Sequence, residues 1–294
     1  MPIIGPIAMR TPTVSSVSLP AGRRLTVRTW DGAGEPLVLL HGLFDCSEGW
    51  ASLAARTERP CVAIDLPGFG GSGLPGRPRI EAYADDVVAA LERLDVGPCA
   101  LVGHSLGGAV AADVAERAPS VASLVLLAPA GFGRIGLAEA LTKPIVVDVA
   151  MLAMPLALVN PLTVTAAYAT FVAHRRLPER DLLARLRRRA ARAPLGVRAA
   201  TIAIAHAGRA ERRRLDFHGR VAALWGAHDA LVPTTHAEGL RTALPQAHVE
   251  FWPGMGHHPQ RERPGRLAEF VEQWAAPEEP GEDYSYSVSA ANIT

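Results

Sequence analysis

The chain is short of cysteine, of lysine and of net charge, and each shortage closes off a class of function. Its 294 residues hold three cysteines, Cys46, Cys61 and Cys99, too far apart for a zinc site or a redox pair. An odd, unclustered set suits reduced thiols, and a cytoplasmic location is expected. Lysine occurs once, at Lys143, and the formal net charge is only +1, which removes any whole-chain electrostatic case for nucleic acid. The apolar start, residues 2–9, is short, is broken by Pro6 and has no basic residue before it, so no export signal is expected. A second apolar run, 145–172, is interrupted by Asp148, Pro155, Asn160 and Pro161 and never reaches about 18 clean residues, so no stable membrane insertion is expected. There is no P-loop and no helical pair of zinc-binding histidines. Gly68-Phe69-Gly70-Gly71-Ser72-Gly73 fits a dinucleotide fingerprint, but Pro67 precedes it and Pro75 and Pro78 follow, so no helix can start there to hold a pyrophosphate. It reads as a loop. No cofactor and no metal are expected.

What is present is an ordinary globular composition, 49% apolar and 20% charged. Alternating segments at 14–19 and 25–30 read as an antiparallel opening pair. Apolar runs at 36–40, 61–64, 99–102, 121–127, 221–225 and 249–252 have the character of strands buried on both faces. Helical patterns at 83–94, 106–117, 235–244 and 264–274 lie between them or follow them. Strand alternating with helix predicts an α/β fold, a mostly parallel eight-stranded sheet flanked by helices. The alternation fails over 131–218, which is helical in character and punctuated by proline, and is expected to be an insertion after the sixth strand. The expected organisation is a core of 1–130 and 219–276, a helical cap of 131–218 and a disordered tail of 277–294.

The strongest chemical signal is Gly103-His104-Ser105-Leu106-Gly107-Gly108, set between the strand at 99–102 and the helix at 106–117. A Gly-x-Ser-x-Gly sequence at a strand-to-helix turn lifts a serine hydroxyl above the sheet edge, and flanking glycines remove the Cβ atoms that would clash there. Serine needs a base, and the base needs an orienting acid. Asp229 closes Trp225-Gly226-Ala227-His228-Asp229 just past a strand, and His257 lies in Gly254-Met255-Gly256-His257-His258-Pro259 past the last one. Loops leaving the carboxyl ends of parallel strands meet at one edge, so Ser105, Asp229 and His257 are the candidate catalytic residues.

Residues from about 23 to 274 resemble the α/β-hydrolase superfamily in its cap-bearing, cofactor-independent branch. The resemblance rests on His41-Gly42-Leu43-Phe44, Asp65-Leu66-Pro67-Gly68-Phe69-Gly70, the segment 103–108, Gly226-Ala227-His228-Asp229 and Gly256-His257-His258-Pro259, in that order. It implies a nucleophile elbow of Gly103, His104 and Gly107 around Ser105, and an oxyanion hole made by the backbone N–H groups of Leu43 and Leu106. Two adjacent histidines compete for the base role, and the family pattern Gly-His-x-Pro selects His257, leaving His258 to line the pocket or stand as a structural neighbour. His41 and His104 are expected to brace loops, His228 to be a loop residue, and Asp65 to be structural.

The expected reaction is hydrolysis of a carboxylic ester or lactone of a small lipophilic molecule through an acyl-serine. Carbon–carbon bond hydrolysis, acyl transfer or cyclisation use the same triad, and a ligand-binding receptor is the reading from another class. The partner expected is a small lipophilic substrate. The run 145–172, with Asp148 its only charge, is expected to bury itself against the body, the pocket or both. The insertion 131–218 carries 15 Lys and Arg against 6 Asp and Glu, a net of +9 that leaves −8 for the rest. Its clusters, Arg185, Arg187, Arg188, Arg189 and Arg192 with Arg212, Arg213 and Arg214, read as a solvated face docked on an acidic body or as attraction for an anionic partner.

Overall fold

A computed structural model describes residues 10–169, 177–178, 180–189, 193–209 and 214–275. Eight strands form one sheet: β1 (Thr13–Ser18), β2 (Arg24–Trp30), β3 (Leu37–Leu40), β4 (Cys61–Ile64), β5 (Cys99–His104), β6 (Val121–Leu127), β7 (Arg220–Gly226) and β8 (His248–Trp252). Their spatial order is β1-β2-β4-β3-β5-β6-β7-β8. β1 and β2 pair antiparallel, β2 joins β4 antiparallel, and every later pair is parallel.

Five of the apolar runs become central strands, β3 to β7, because both of their faces are covered; the sixth, at 249–252, is instead the edge strand β8, with Phe251 42% exposed. Side chains alternate across a strand, so Val38, Leu40, Leu101, Leu124 and Leu126 enter one core layer while Leu37, Leu39, Val102, Val125 and Leu127 enter the other. The first layer is closed by α2 (Ile80–Arg93) and α3 (Leu106–Arg117), which contribute Tyr83, Val87, Val110 and Val114. The second is closed by α1 (Ala51–Ala54) and α11 (Pro264–Ala275), with Leu53, Leu267, Phe270 and Val271. α9 (His236–Ala243) and the short α10 (Pro259–Glu262) complete the core helices. Truncating one of these fully buried leucines to alanine would cost about 2–5 kcal/mol.

Among the described residues, five helices lie between β6 and β7: α4 (Gly136–Ala140), α5 (Pro144–Val159), α6 (Pro161–Ala167), α7 (Arg180–Arg189) and α8 (Ala193–Arg209). α8 fastens this insertion to the core by close backbone approach. A Cβ on Gly196 would stand 2.0 Å from the Gly68 carbonyl oxygen. Asn160 separates α5 from α6 and caps the latter, its Oδ1 accepting from the Leu162 and Thr163 N–H groups.

One sequence expectation fails here. The apolar run buries only one of its sides, against the cavity. Ile145 is 81% exposed, Leu152 82% and Leu156 73%, although Val147 on the same helix is buried. Composition shows that a segment has no charged face; it does not show that something covers every apolar one. Residues 170–172 of that run, the tail 277–294 and the cluster members Arg192, Arg212 and Arg213 fall outside the described residues, as do the side chains of Arg185, Arg188 and Arg189. Arg187 and Arg214 are exposed. Among the described residues, no single helix is long and apolar enough to cross a membrane.

Candidate active site

Parallel register brings the ends of β3 and β5 side by side, with Leu40 opposite Gly103. The chain then turns sharply. Ser105 stands between β5 and α3 at φ 54° and ψ −114°, a left-handed backbone that a side-chain-bearing residue adopts only when its surroundings force it. Its N–H donates to the Leu127 carbonyl at 2.9 Å, and its own carbonyl accepts from the N–H groups of Gly108, Ala109 and Ala130. The two flanking glycines permit the turn by their lack of bulk. A Cβ on Gly103 would lie 2.4 Å from the Gly107 carbonyl oxygen, and one on Gly107 would lie 2.3 Å from that of Leu40.

β7 and β8 deliver the other two residues. Past β7, the Asp229 Oδ1 accepts from the N–H groups of Leu231 and Val232, both at 2.9 Å. Its Oδ2 lies 2.7 Å from Nδ1 of His257, with the Asp229 side chain fully buried and that of His257 nearly so. Burial pushes the Asp229 carboxyl up, but the His257 charge and hydrogen bond, with the two backbone donors, outweigh it and hold the group below its ordinary value. The Asp229 carboxylate thus holds the His257 ring through Nδ1.

His257 and not its neighbour pairs with Asp229. The buried His258 packs edge-on against His104, their ring centroids 4.6 Å apart. Burial first, then the neighbouring His104, His257 and Arg261, push His258 well below the ordinary histidine value. His104 is fully buried, and burial together with His257 lowers its pKa to about 3. A neutral His104 has one way to satisfy both ring nitrogens. Its Nε2–H donates to the His257 carbonyl at 2.8 Å, and its Nδ1 accepts from the Gln260 amide at 3.2 Å. His104 therefore braces the loop that carries His257.

His41 accepts at Nε2 from the Leu66 N–H and donates at Nδ1 to the Gly42 carbonyl. Asp65 accepts from the N–H groups of Ser47 and Gly71, and His228 is an exposed loop residue. The N–H of Leu106 lies in the first turn of α3, which supplies it no acceptor, and the N–H of Leu43 has none among the described residues. Sequence reasoning missed Glu262, buried in α10, whose carboxylate accepts from the N–H groups of Gly256 and His258 and clamps the histidine loop from below. It also missed the buried pair of Asp45 and Arg261, 3.3 Å apart. A glutamate four residues past His258 was the only available hint of the first; the second joins positions 216 apart and leaves no local trace.

Ser105, His257 and His258 open on a cavity of about 400 Å³, within the range of small-molecule sites. Its walls are almost wholly apolar, with Met154, Leu158, Val164 and Ile204 from the insertion facing Leu43 and Val232 from the core. Burial pushes the thiols of Cys61 and Cys99 up to about 12, so neither supplies a thiolate. Among the described residues no group of three or more His, Cys, Asp or Glu is arranged to hold a metal ion.

The sequence profile of the alpha/beta hydrolase family matches residues 37–270, which includes every residue of this site. The chain belongs to the alpha/beta hydrolase family. Among curated relatives of this chain, the dihydrolipoyllysine-residue acetyltransferase component of the acetoin cleaving system of Pseudomonas putida is 34% identical over 78% of this chain, which spans 60% of that relative's length. An sn-1-specific diacylglycerol lipase of Danio rerio is 37% identical over 33% of this chain and 32% of its own. A crystal structure of a membrane phospholipase A described as a bacterial virulence factor superimposes with a TM-score of 0.70 at 25% identity, covering 89% of this chain and 85% of that one.

Proposed function

We propose that this hydrolase cleaves a carboxylic ester of a small lipophilic molecule through an acyl-Ser105 intermediate. The observation that carries the reading is Ser105 held at φ 54° on the rim of an apolar cavity that His257, bonded to Asp229, also lines. Residues 131–218 act in this reading as a cap, since the cavity takes most of its walls from them.

His257 Nε2 takes the Ser105 proton as the hydroxyl oxygen attacks the ester carbonyl carbon. As negative charge develops on it, the carbonyl oxygen accepts from the N–H groups of Leu43 and Leu106, an interaction that strengthens as the charge forms. The carbon–oxygen bond breaks and His257 returns the proton to the departing alkoxide, leaving the acyl group on Ser105. Water then loses a proton to His257 and attacks the acyl carbon; the carboxylic acid departs and Ser105 recovers its proton. Asp229 stabilises the imidazolium formed in each half-reaction. Lipase and phospholipase relatives support a lipophilic acyl or alcohol group.

Each methylene moved from water into an apolar cavity gains about 0.8 kcal/mol, about fourfold in kcat/KM when the gain is kept in the transition state. A series of p-nitrophenyl esters from acetate to octanoate tests this, with Ser105→Ala as control. kcat/KM is expected to climb with chain length until the cavity is full and to vanish in the control. A steady decline from acetate would overturn the lipophilic assignment, and turnover surviving in the control would overturn the nucleophile.

A further inference from the structure

Helix α5 is apolar on both sides, and only one side is covered. Ala150, Met154, Ala157 and Leu158 line the cavity. On the opposite side Ile145, Val149, Leu152 and Leu156 recur at i, i+4, i+7 and i+11, which is one ridge of a helix, and each is 63–82% exposed. At the corner where the chain turns 107° into α6, Leu162 is 79% exposed as well. Contiguous exposed apolar surface of this kind marks an interaction site.

The charges around the ridge say what it meets. Lys143 stands exposed at the head of α5. At the other end Arg187 of α7 donates from Nε to the Val159 carbonyl at 3.1 Å and is itself exposed, as is Arg180. Asp148 is the one acid within α5 and α6, and residues 131–218 carry a net +9. A second copy of the chain meeting this face would set Lys143, Arg180 and Arg187 against the same cations, whereas an anionic lipid surface is attracted by them. α5 has 16 residues, about 24 Å at the usual helical rise, against about 30 Å of bilayer hydrocarbon. With Pro155 inside it and the sharp corner at its end, it is built to lie in an interface and not to cross one.

We propose that α5 and the corner into α6 form a docking surface for an anionic lipid bilayer, with Ile145, Val149, Leu152 and Leu156 seated among the headgroups and upper acyl chains. The opposite face of the same helix lines the cavity, so docking brings the cavity wall to the lipid. The surface stands on exposure and charge alone and does not depend on the ester assignment.

The test is sedimentation of the full chain with vesicles of phosphatidylcholine mixed with phosphatidylglycerol, and with phosphatidylcholine alone. Partitioning is expected to be at least about tenfold stronger on the anionic vesicles and to weaken as salt screens the cations. Leu152→Asp with Leu156→Asp is expected to cut partitioning by more than about tenfold. Turnover of water-soluble p-nitrophenyl butyrate should be unchanged, because neither residue lines the cavity. An environment-sensitive fluorophore on Leu156→Cys gives a second reading, since Cys46, Cys61 and Cys99 are all buried; its emission should shift to the blue with anionic vesicles only. No binding of the wild type to anionic vesicles would overturn the proposal. So would unchanged binding by the double variant, or a stable dimer that the double variant dissociates. Vesicle binding without ester turnover would instead count against the proposed reaction alone.

Discussion

Replacing Asp229 by asparagine changes one atom and, by the hydrogen bonds around it, decides where the proton on His257 sits. Oδ1 accepts from two backbone N–H groups, those of Leu231 and Val232, and Oδ2 faces Nδ1 of His257. An asparagine in this place must point its oxygen at the two backbone donors. The reverse orientation would leave both unpaired at about 1–3 kcal/mol each. Its NH2 then faces Nδ1, which has to become the acceptor, and the ring proton moves to Nε2. A histidine in that tautomer cannot take the Ser105 proton. Asp229→Asn is therefore expected to lower kcat by about 10³–10⁴-fold, or about 4–5.5 kcal/mol of barrier, with little change in KM and an intact fold. Steady-state kinetics on p-nitrophenyl butyrate, beside a thermal unfolding curve, provide the measurement. A variant that keeps more than about a tenth of wild-type kcat would refute the reasoning, since removing the correct tautomer must cost far more.

Acid should destabilise the protein well above the carboxylate range. His104 and His258 are neutral when folded, the first with a pKa lowered to about 3. Unfolded, each takes up a proton below about pH 6.5, so the unfolded state binds more protons there. Stability is full above that pH and falls towards lower pH at up to about 1.4 kcal/mol per unit for each histidine. Urea midpoints at pH 7.5 and pH 5 should differ accordingly, and equal midpoints would contradict the burial of these rings. Gly196→Ala separates helix propensity from contact: propensity favours alanine within α8 by about 1 kcal/mol, but the new Cβ meets the Gly68 carbonyl oxygen. A loss of about 1–3 kcal/mol is expected, and a rise in melting temperature would show that α8 does not bear on the core in this way.

The architecture was legible where burial leaves a local mark. β3 to β7 read as unbroken apolar runs because helices cover both faces of the sheet, and Ser105 was legible because a strained strand-to-helix turn demands small residues at fixed offsets. What was illegible depends on partners distant in the chain. That α5 covers the cavity with one side and exposes Leu152 and Leu156 on the other cannot be read from a segment that is apolar throughout. Likewise Glu262 acts only through the backbone it clamps, and the Asp45–Arg261 pair exists only once the chain has folded. The Gly-His-x-Pro register points to His257 over His258, and in the structure it is His257 that meets Asp229.

The central claim is that Ser105 is the nucleophile. A fluorophosphonate reacts preferentially with an activated serine oxygen, so intact mass followed by peptide mapping reads the claim directly. One adduct is expected, on the peptide that contains Ser105, absent in Ser105→Ala and slowed by orders of magnitude in His257→Ala. An adduct on another residue, or equal labelling of the Ser105→Ala protein, would contradict it.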